Sequence, residues 1–437
     1  MSPEMIGVLG IVILLVLFVL KVPIGISLLM VGFIGIGWIR NWDVALIQLG
    51  RTPFDTASSY NLSVIPLFIL MGMILSYCGL GSDLYRAVDK WIGHLRGGLA
   101  MATIGTASVF SAISGSVNAT TATVARITLP EMEKYKYHPK LSTACVAAGG
   151  TLGVLIPPSV TLIFYGVLTG DNIGRLLIGG IGPGVLQVLL FMITIYLWIR
   201  LDPSLAPAAD QLKKASFTER VHSLKSVWPI MLLFSISIGG IYLGIFTPTE
   251  SAGVGAFGAL IFALITRRLD FKKLRKALDD SVRLTAMIFL IVIGATLFSQ
   301  FLSISRIPVK ITAFVGQLDL NPYIILGLIL LVLLILGLFL EGLSIFVLTL
   351  PIIHPIITSL GFDGVWFGVI MVMIINIGLL TPPLGLSCFI IKGVAKDVPL
   401  ETIFKGVIPM VIAMVISIII VIIFPQIVTS LPDLMKQ

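Results

Sequence analysis

Long apolar stretches alternate with short polar connections along nearly the whole chain, at 5–20, 22–39, 64–78, 97–113, 141–168, 176–199, 227–246, 252–265, 285–301, 324–340, 343–357, 365–391 and 403–424. A membrane-spanning helix needs roughly 20 apolar residues. The pattern therefore predicts an all-α polytopic membrane protein, and several of the runs are too short or too broken to span simply. Two that enter and return and two that are interrupted leave roughly 11 spans. The one long polar stretch, 200–225, is too short for a soluble catalytic or ligand-capturing domain. Function is expected inside the membrane.

Composition agrees. The chain is 57% hydrophobic and 11% charged, with mean hydropathy +1.09, whereas soluble domains carry about 25% charged residues. The excess of Lys+Arg (29) over Asp+Glu (21) would suggest nucleic-acid binding in a soluble protein. In a membrane protein it is the positive-inside topological signal, so no nucleic-acid partner is expected. Cys78, Cys145 and Cys388 sit singly in apolar runs, without metal-ligand or redox spacing. The N-terminal run lacks a basic leader and a small-residue cleavage site, and is expected to remain as the first membrane helix.

Basic clusters orient the chain. Arg267, Arg268, Lys272, Lys273, Arg275 and Lys276 mark one inner connection. Counting outward, Lys213, Lys214, Arg220 and Lys225 fall inside, as do Lys134, Lys136 and Lys140, and Arg86, Lys90 and Arg96. Arg40, Arg51, Arg306 and Lys310 fall outside, against the rule. The segment 97–130 begins and ends inside, and its centre, FSAISGSVNATTAT at 110–123, is too small and polar to face lipid. It predicts a re-entrant hairpin, since irregular backbone at membrane depth must be buried in protein or line a cavity. A second hairpin is expected at 321–360, between Asp319 and Asp363, with its base outside. The amphipathic basic segments 82–96 and 270–283 read as interfacial arm helices.

The two halves match. Gly153, Leu155, Pro157, Pro158 and Phe164 align with Gly378, Leu380, Pro382, Pro383 and Phe389 at a constant offset of 225. Thr128-Leu129-Pro130 pairs with Thr349-Leu350-Pro351, and Gly180 and Pro183 pair with Gly406 and Pro409. With hairpin bases on opposite sides, this predicts an inverted repeat, the sequence mark of secondary transporters. Each Pro-Pro pair removes two amide donors and must break its helix. The carbonyls freed there, joined by hydroxyls, suit Na⁺, and the half-helix N-termini suit an anion.

Hairpin 1 supplies Ser111, Ser114, Ser116, Thr120 and Thr121 around Asn118. Charges at membrane depth normally mark function, which singles out Glu341 in hairpin 2 and Arg126 in hairpin 1; His354 is a weaker candidate for carrying a proton. The substrate-contact candidates are Ser116, Asn118, Thr120, Ser344, Glu341, Arg126, Pro158 and Pro383. No Ser-His-Asp grouping, HExxH motif or paired acidic metal site occurs, so an enzyme is not expected.

These residues resemble the large membrane subunit of the tripartite ATP-independent periplasmic (TRAP) transporters. The likeness is carried by Ser114-Gly115-Ser116, by Thr128-Leu129-Pro130-Glu131-Met132, and by Gly150-Thr-Leu-Gly153-Val-Leu-Ile-Pro157-Pro158-Ser159. Two further stretches carry it: Ile241-Tyr-Leu-Gly244-Ile-Phe-Thr247-Pro248-Thr249-Glu250 and Gly378-Leu-Leu-Thr381-Pro382-Pro383-Leu-Gly385. The resemblance implies an elevator-type ion-transporter fold in the bacterial inner membrane. Its divisions would be scaffold helices at 1–80, a first repeat at 81–200, a cytoplasmic loop and scaffold helices at 201–268, and a second repeat at 269–437. It implies one Na⁺ site on Ser111, Ser114, Gly153, Ile156 and Pro157, and a second on Gly337, Gly378, Thr381 and Leu384. It also implies two partners, a small four-helix membrane subunit and a periplasmic substrate-binding protein. The expected activity is Na⁺-driven uptake of a small organic anion, such as a C4-dicarboxylate, sialic acid or a sulfonate. The alternative is a stand-alone Na⁺- or H⁺-coupled carboxylate transporter or antiporter of the same architecture.

Overall fold

A computed structural model describes residues 1–207, 215–318 and 320–435. Lys213, Lys214 and Asp319, used above to orient the chain, lie outside the described residues. Among the described residues the structure is helical, without strands.

The first helices are α1 (Pro3–Val19), α2 (Ile24–Ile39), α3 (Trp42–Ala57), α4 (Val64–Tyr77) and α5 (Leu80–Ile92). Hairpin 1 is formed by α6 (Gly98–Ser114) and α7 (Val117–Lys134), followed by α8 (Pro139–Thr151), α9 (Val160–Thr169), α10 (Ile173–Gly179) and α11 (Ile181–Leu201). Next come α12 (Phe217–Leu224), α13 (Trp228–Tyr242), α14 (Pro248–Ile265), α15 (Phe271–Ser305) and α16 (Ile307–Gln317). Hairpin 2 consists of α17 (Pro322–Gly337) and α18 (Gly342–Ser359), and α19 (Gly364–Gly378), α20 (Leu386–Val394), α21 (Leu400–Ile423) and α22 (Gln426–Asp433) follow it. The order hairpin, interrupted helix pair, long helix thus occurs twice.

Among the described residues six helices are long and apolar enough to cross a membrane, or seven if the bent pair α12 and α13 is one span. This is fewer than the roughly 11 spans expected. The shortfall comes from apolar helices of 10–17 residues, α1, α2, α6, α9, α17 and α19, each by itself shorter than a full span.

One group of helices packs around α15. Its backbone touches α2 so closely that a β-carbon on Gly25 would meet the Leu290 backbone at 2.9 Å and one on Gly32 the Leu297 backbone at 2.8 Å. Both partners are seven residues apart, so the small side chains form a stripe along which two backbones approach, the usual device for helix association in lipid. The second group surrounds α8 and α19, in which residues 141–151 and 365–378 are all buried. Each of these helices packs against both arms of its own half's hairpin, while α9 packs on hairpin 2 and α20 on hairpin 1.

Of the first segment read as an arm, 82–96, residues 82–92 are helical and belong to α5. It bridges the groups through an Arg268–Asp83 ion pair to the α14–α15 connection, beside a Tyr77 hydroxyl that donates to Asp280 at 2.5 Å. The second arm differs from expectation. Residues 270–283 are the start of the continuous helix α15, capped by Asp270 accepting from Lys273 N at 2.7 Å. No proline interrupts residues 271–305, so the basic amphipathic turns propagate into the apolar ones. The break comes at Arg306, in the left-handed region at φ 61°, before Pro308. The element directly preceding hairpin 2, as α5 precedes hairpin 1, is therefore α16. Its Lys310, one of the exceptions to the charge rule, pairs with Glu4 at 2.6 Å.

Candidate functional site

Hairpin 1 turns at Gly115, whose φ of 58° favours glycine. A β-carbon there would also lie 2.7 Å from the Pro158 carbonyl, so the turn is seated on the first interrupted helix. The hydroxyls of Ser114 and Thr120 share a hydrogen bond of 2.6 Å across the turn. Ser111 donates to the Ala107 carbonyl at 2.6 Å, which leaves its oxygen free to accept. Thr121 is buried without a hydrogen-bond partner for its hydroxyl among the described residues.

The first interruption follows α8 with a 3₁₀ turn, Leu152–Val154, and ends where Ser159 caps α9, accepting from Leu162 N at 3.2 Å. The second lies between α19 and α20. Both Pro-Pro bonds, Pro157-Pro158 and Pro382-Pro383, are cis. Among the described residues no backbone N–H donates to the carbonyls of Leu155, Ile156, Pro157 or Pro158, nor to those of Thr381, Pro382, Pro383 or Leu384. The matching glycines face the matching hairpin turns. A β-carbon on Gly153 would meet the Ser116 carbonyl oxygen at 2.8 Å and the Thr120 hydroxyl at 3.1 Å, and one on Gly378 would collide with the Gly337 carbonyl. Thr381 donates its hydroxyl to Ile377 O at 2.9 Å.

Between the two hairpin turns and the two interruptions lies a cavity of about 150 Å³. Ser114, Ser116 and Asn118 line it from hairpin 1, Glu341 and Leu343 from hairpin 2, and Asn376 from α19. Glu341 is the one charged side chain on this lining among the described residues, and it makes no capping bond at the start of α18. The first residues of four helices reach the lining: Val117 of α7, Val160 of α9, Gly342 of α18 and Leu386 of α20. Each N-terminus carries partial positive charge, so the cavity suits an anion without an arginine or lysine. Helix α15 closes it with Leu284, Met287 and Ile288.

Not every sequence candidate is here. Arg126 is exposed on α7 and off the lining, roughly 12 Å along the helix from Asn118. Ser344 is buried in α18 but does not reach the cavity, and Pro383 and Leu384 lie exposed at the second interruption. Pro158 lines a separate small space beside Ile113 and Met71, and Ile156 packs toward Gly184.

Sequence reasoning passed over Asn376, although a polar side chain inside an apolar run is the signal that flags such sites. Its amide donates to the Thr151 carbonyl at 3.5 Å. Residues 151 and 376 are separated by the same 225 that relates the halves, so equivalent positions of the two interrupted helices touch each other.

His354 lies outside the cavity. Its Nε2 is 3.1 Å from the Asp171 carboxylate in the α9–α10 connection, and this bond holds the Asp171 carboxyl below the usual range. A depressed folded pKa means stability present above the ordinary carboxylate value and lost as pH falls through the folded one. We expect Asp171→Asn to lower Tm at pH 7 by the equivalent of about 1 kcal/mol, the scale of a partly exposed pair, and to shrink the drop in Tm on acidification. An unchanged Tm at both pH values would show that the contact carries no stability.

Compared with known proteins, the chain matches over residues 11–427 the family described as tripartite ATP-independent periplasmic transporter, DctM component. It is 34% identical to the C4-dicarboxylate TRAP transporter large permease protein DctM of Pseudomonas aeruginosa, over 87% of this chain and 88% of that one. Identity to the sialic acid TRAP transporter large permease protein SiaM of Vibrio cholerae is 32%, over 86% and 87%. Identity to the isethionate TRAP transporter permease protein DctMQ of Oleidesulfovibrio alaskensis is 35%, over 90% of this chain but 61% of that longer one. In fold it is similar to the YdaH transporter of Alcanivorax borkumensis, with TM-score 0.64 at 15% identity over 90% of each chain. It is also similar to MtrF of Neisseria gonorrhoeae, with TM-score 0.61 at 13% identity over 96% and 94%.

Proposed function

The chain belongs to the DctM component family of the tripartite ATP-independent periplasmic transporters, multi-pass membrane proteins, and from that premise we propose that it takes up a small organic anion coupled to Na⁺. The observation that carries the reading is the convergence of four helix N-termini on one cavity flanked by two interruptions with free carbonyls. The N-termini stabilise a carboxylate or sulfonate. The carbonyls and hydroxyls at Ser111, Ser114, Gly153, Ile156 and Pro157, and at Gly337, Gly378, Thr381 and Leu384, are uncharged oxygen donors or backbone of the kind that holds Na⁺ in transporters with broken helices. C4-dicarboxylates, sialic acid and isethionate, named for the relatives, are the first substrates to test.

Mechanistically, Na⁺ at either site ties a hairpin turn to its interruption and so fixes the lining of the anion cavity. Ion and anion then favour each other's binding by the same factor. The two halves form an inverted repeat, and the domain around α8 and α19 moves as a unit against the scaffold at α2 and α15. The family's tripartite make-up and the longer DctMQ relative support a small membrane subunit and a soluble periplasmic donor as partners. Glu341, unpaired on the lining, supports proton coupling as the second reading; its mark would be uptake that follows a pH gradient without Na⁺ and persists with this chain alone.

The test is uptake into proteoliposomes containing the assembled transporter. Ser114→Ala and Thr381→Ala each remove one hydroxyl worth about 1 kcal/mol, so the Na⁺ concentration for half-maximal uptake should rise roughly five-fold. Wild-type Na⁺ dependence in both variants would reject the ion-site assignment.

A further inference from the structure

We propose that the outer half of α15 carries a second substrate-contact surface, formed by Thr296, Ser299, Gln300 and Ser303, against which the anion cavity comes to rest when the moving domain is displaced outward. This rests on the elevator reading above and adds to it the place where the movement ends.

The face of α15 that closes the anion cavity, Leu284, Met287 and Ile288, is apolar and lies toward the basic, inner end of the helix. The helix presents further residues to a second and larger cavity of about 860 Å³ nearer its outer end, including Thr296, Ser299, Gln300 and Ser303. Their spacing, i, i+3, i+4 and i+7, is one face of a helix. The same periodicity runs back through 295, 292 and 288, so Ser299 lies in line with Ile288 of the inner set, while Thr296, Gln300 and Ser303 flank that line on the side away from Met287. From Ile288 to Ser299 is eleven residues, about 16 Å along the axis.

The polar set is not explained by packing. Thr296 donates to its own helix, at Val292 O, 2.9 Å away. The Gln300 carbonyl oxygen is buried without a hydrogen-bond partner, as is the Thr312 hydroxyl that faces the same cavity from α16. Buried polar groups without partners are costly, the more so at membrane depth. The opposite wall belongs to the moving domain: Val167, Leu168 and Thr169 at the end of α9, and Val347, Leu350 and His354 on the second arm of hairpin 2. An outward slide of about 16 Å along the stripe carries those residues past the end of α15 and brings the hairpin turns opposite Ser299. The Gln300 amide N–H and the serine hydroxyls can then donate to the carboxylate of a small organic acid, and the Gln300 carbonyl oxygen can accept from a substrate hydroxyl or amide where it carries one. A neutral polar wall holds the anion without the tight grip of a charged one, which suits a surface that must release its ligand at each cycle.

The test combines cross-linking and kinetics in the assembled transporter, with Cys78, Cys145 and Cys388 replaced by alanine. Leu343→Cys, at the hairpin 2 turn, is paired with Met287→Cys in one variant and with Ser299→Cys in another. Disulfide formation by copper phenanthroline is expected in both, each arresting uptake until reduction. Ser299→Ala and Gln300→Leu, in the protein without added cysteines, should raise the KM for external substrate three- to ten-fold with Na⁺ half-saturation unchanged. The probe is radiolabelled succinate, isethionate or sialic acid, taking the one that the wild type accumulates. Were the Met287 pair to cross-link without arresting uptake, the elevator reading itself would fall and this proposal with it. If that pair arrests uptake but the Ser299 pair never forms, the stripe is not the outer resting place, and a raised KM in that case would make it a fixed vestibule instead. An unchanged KM in both substitutions would overturn the substrate contact even if the outer pair forms.

Discussion

Gly378→Ala should abolish most Na⁺-dependent uptake while the protein still inserts and folds. The reason lies at the second interruption, where the Gly378 backbone meets the Gly337 carbonyl at the hairpin 2 turn so closely that a β-carbon has no room. The obstacle is backbone, which cannot rotate aside as a side chain would. Relief requires the turn to retreat from α19, and the retreat separates Gly337 from Thr381, two of the groups proposed to hold one Na⁺. Overpacking at a tight contact costs about 1–3 kcal/mol, which at the ion site means a roughly five- to hundred-fold higher Na⁺ concentration for half-maximal uptake. Gly153→Ala at the equivalent position should be milder. Its β-carbon would also meet backbone, the Ser116 carbonyl oxygen at 2.8 Å, but less deeply than the one on Gly378 meets Gly337, and the next obstacle is the Thr120 hydroxyl at 3.1 Å, which can turn away, so a smaller retreat relieves it. The comparison is made by Na⁺ titration of uptake alongside Tm in detergent. A Gly378→Ala protein with normal Tm and normal Na⁺ half-saturation would remove hairpin 2 from the ion site.

The contrast between those glycines shows what could be read from the chain before any coordinates. The pairing of Gly153 with Gly378 follows from one constant offset, and the helix breaks follow from Pro-Pro, because proline's missing amide and its restriction of the preceding residue are local facts. Hairpin 1 was legible for a similar reason: small polar residues in the middle of an apolar segment have few places to go in a membrane. What depends on how elements meet was not legible. The basic amphipathic pattern at 270–283, which reads as an arm helix, belongs to the first turns of the long helix α15, and the element directly before hairpin 2 is the less patterned α16. Arg126 carries a charge that sequence reasoning weights heavily, but its position on α7 points it away from the cavity. The anion cavity proposed above is a mixed case: the helix starts at Val160 and Leu386 follow from the Pro-Pro breaks, but their convergence with the hairpin-turn starts at Val117 and Gly342 depends on how the elements meet.

Asn376→Leu should weaken Na⁺ and substrate together. Asn376 lies 2% exposed where the two interrupted helices touch, its amide donating to the Thr151 carbonyl, and it also lines the anion cavity. Positions 151 and 376 are separated by the 225 residues that relate the matching motifs, so under the proposed inverted repeat the contact lies where a helix meets its own counterpart, as in an isologous interface. It is thus the direct link between the two proposed ion sites. At 3.5 Å the bond is long, and its loss should cost about 1 kcal/mol, near five-fold in apparent affinity. The more telling readout is cooperativity. If the link transmits the order that one Na⁺ imposes on its interruption to the other, the Hill coefficient for Na⁺ should fall toward one in Asn376→Leu. Thr151→Val is the control, because the contact uses the Thr151 backbone carbonyl while its hydroxyl donates to Ala148 O at 2.6 Å; cooperativity should survive there. A leucine variant with wild-type cooperativity would mean that the two interruptions respond to Na⁺ independently, and that their contact at the centre of the domain is packing alone.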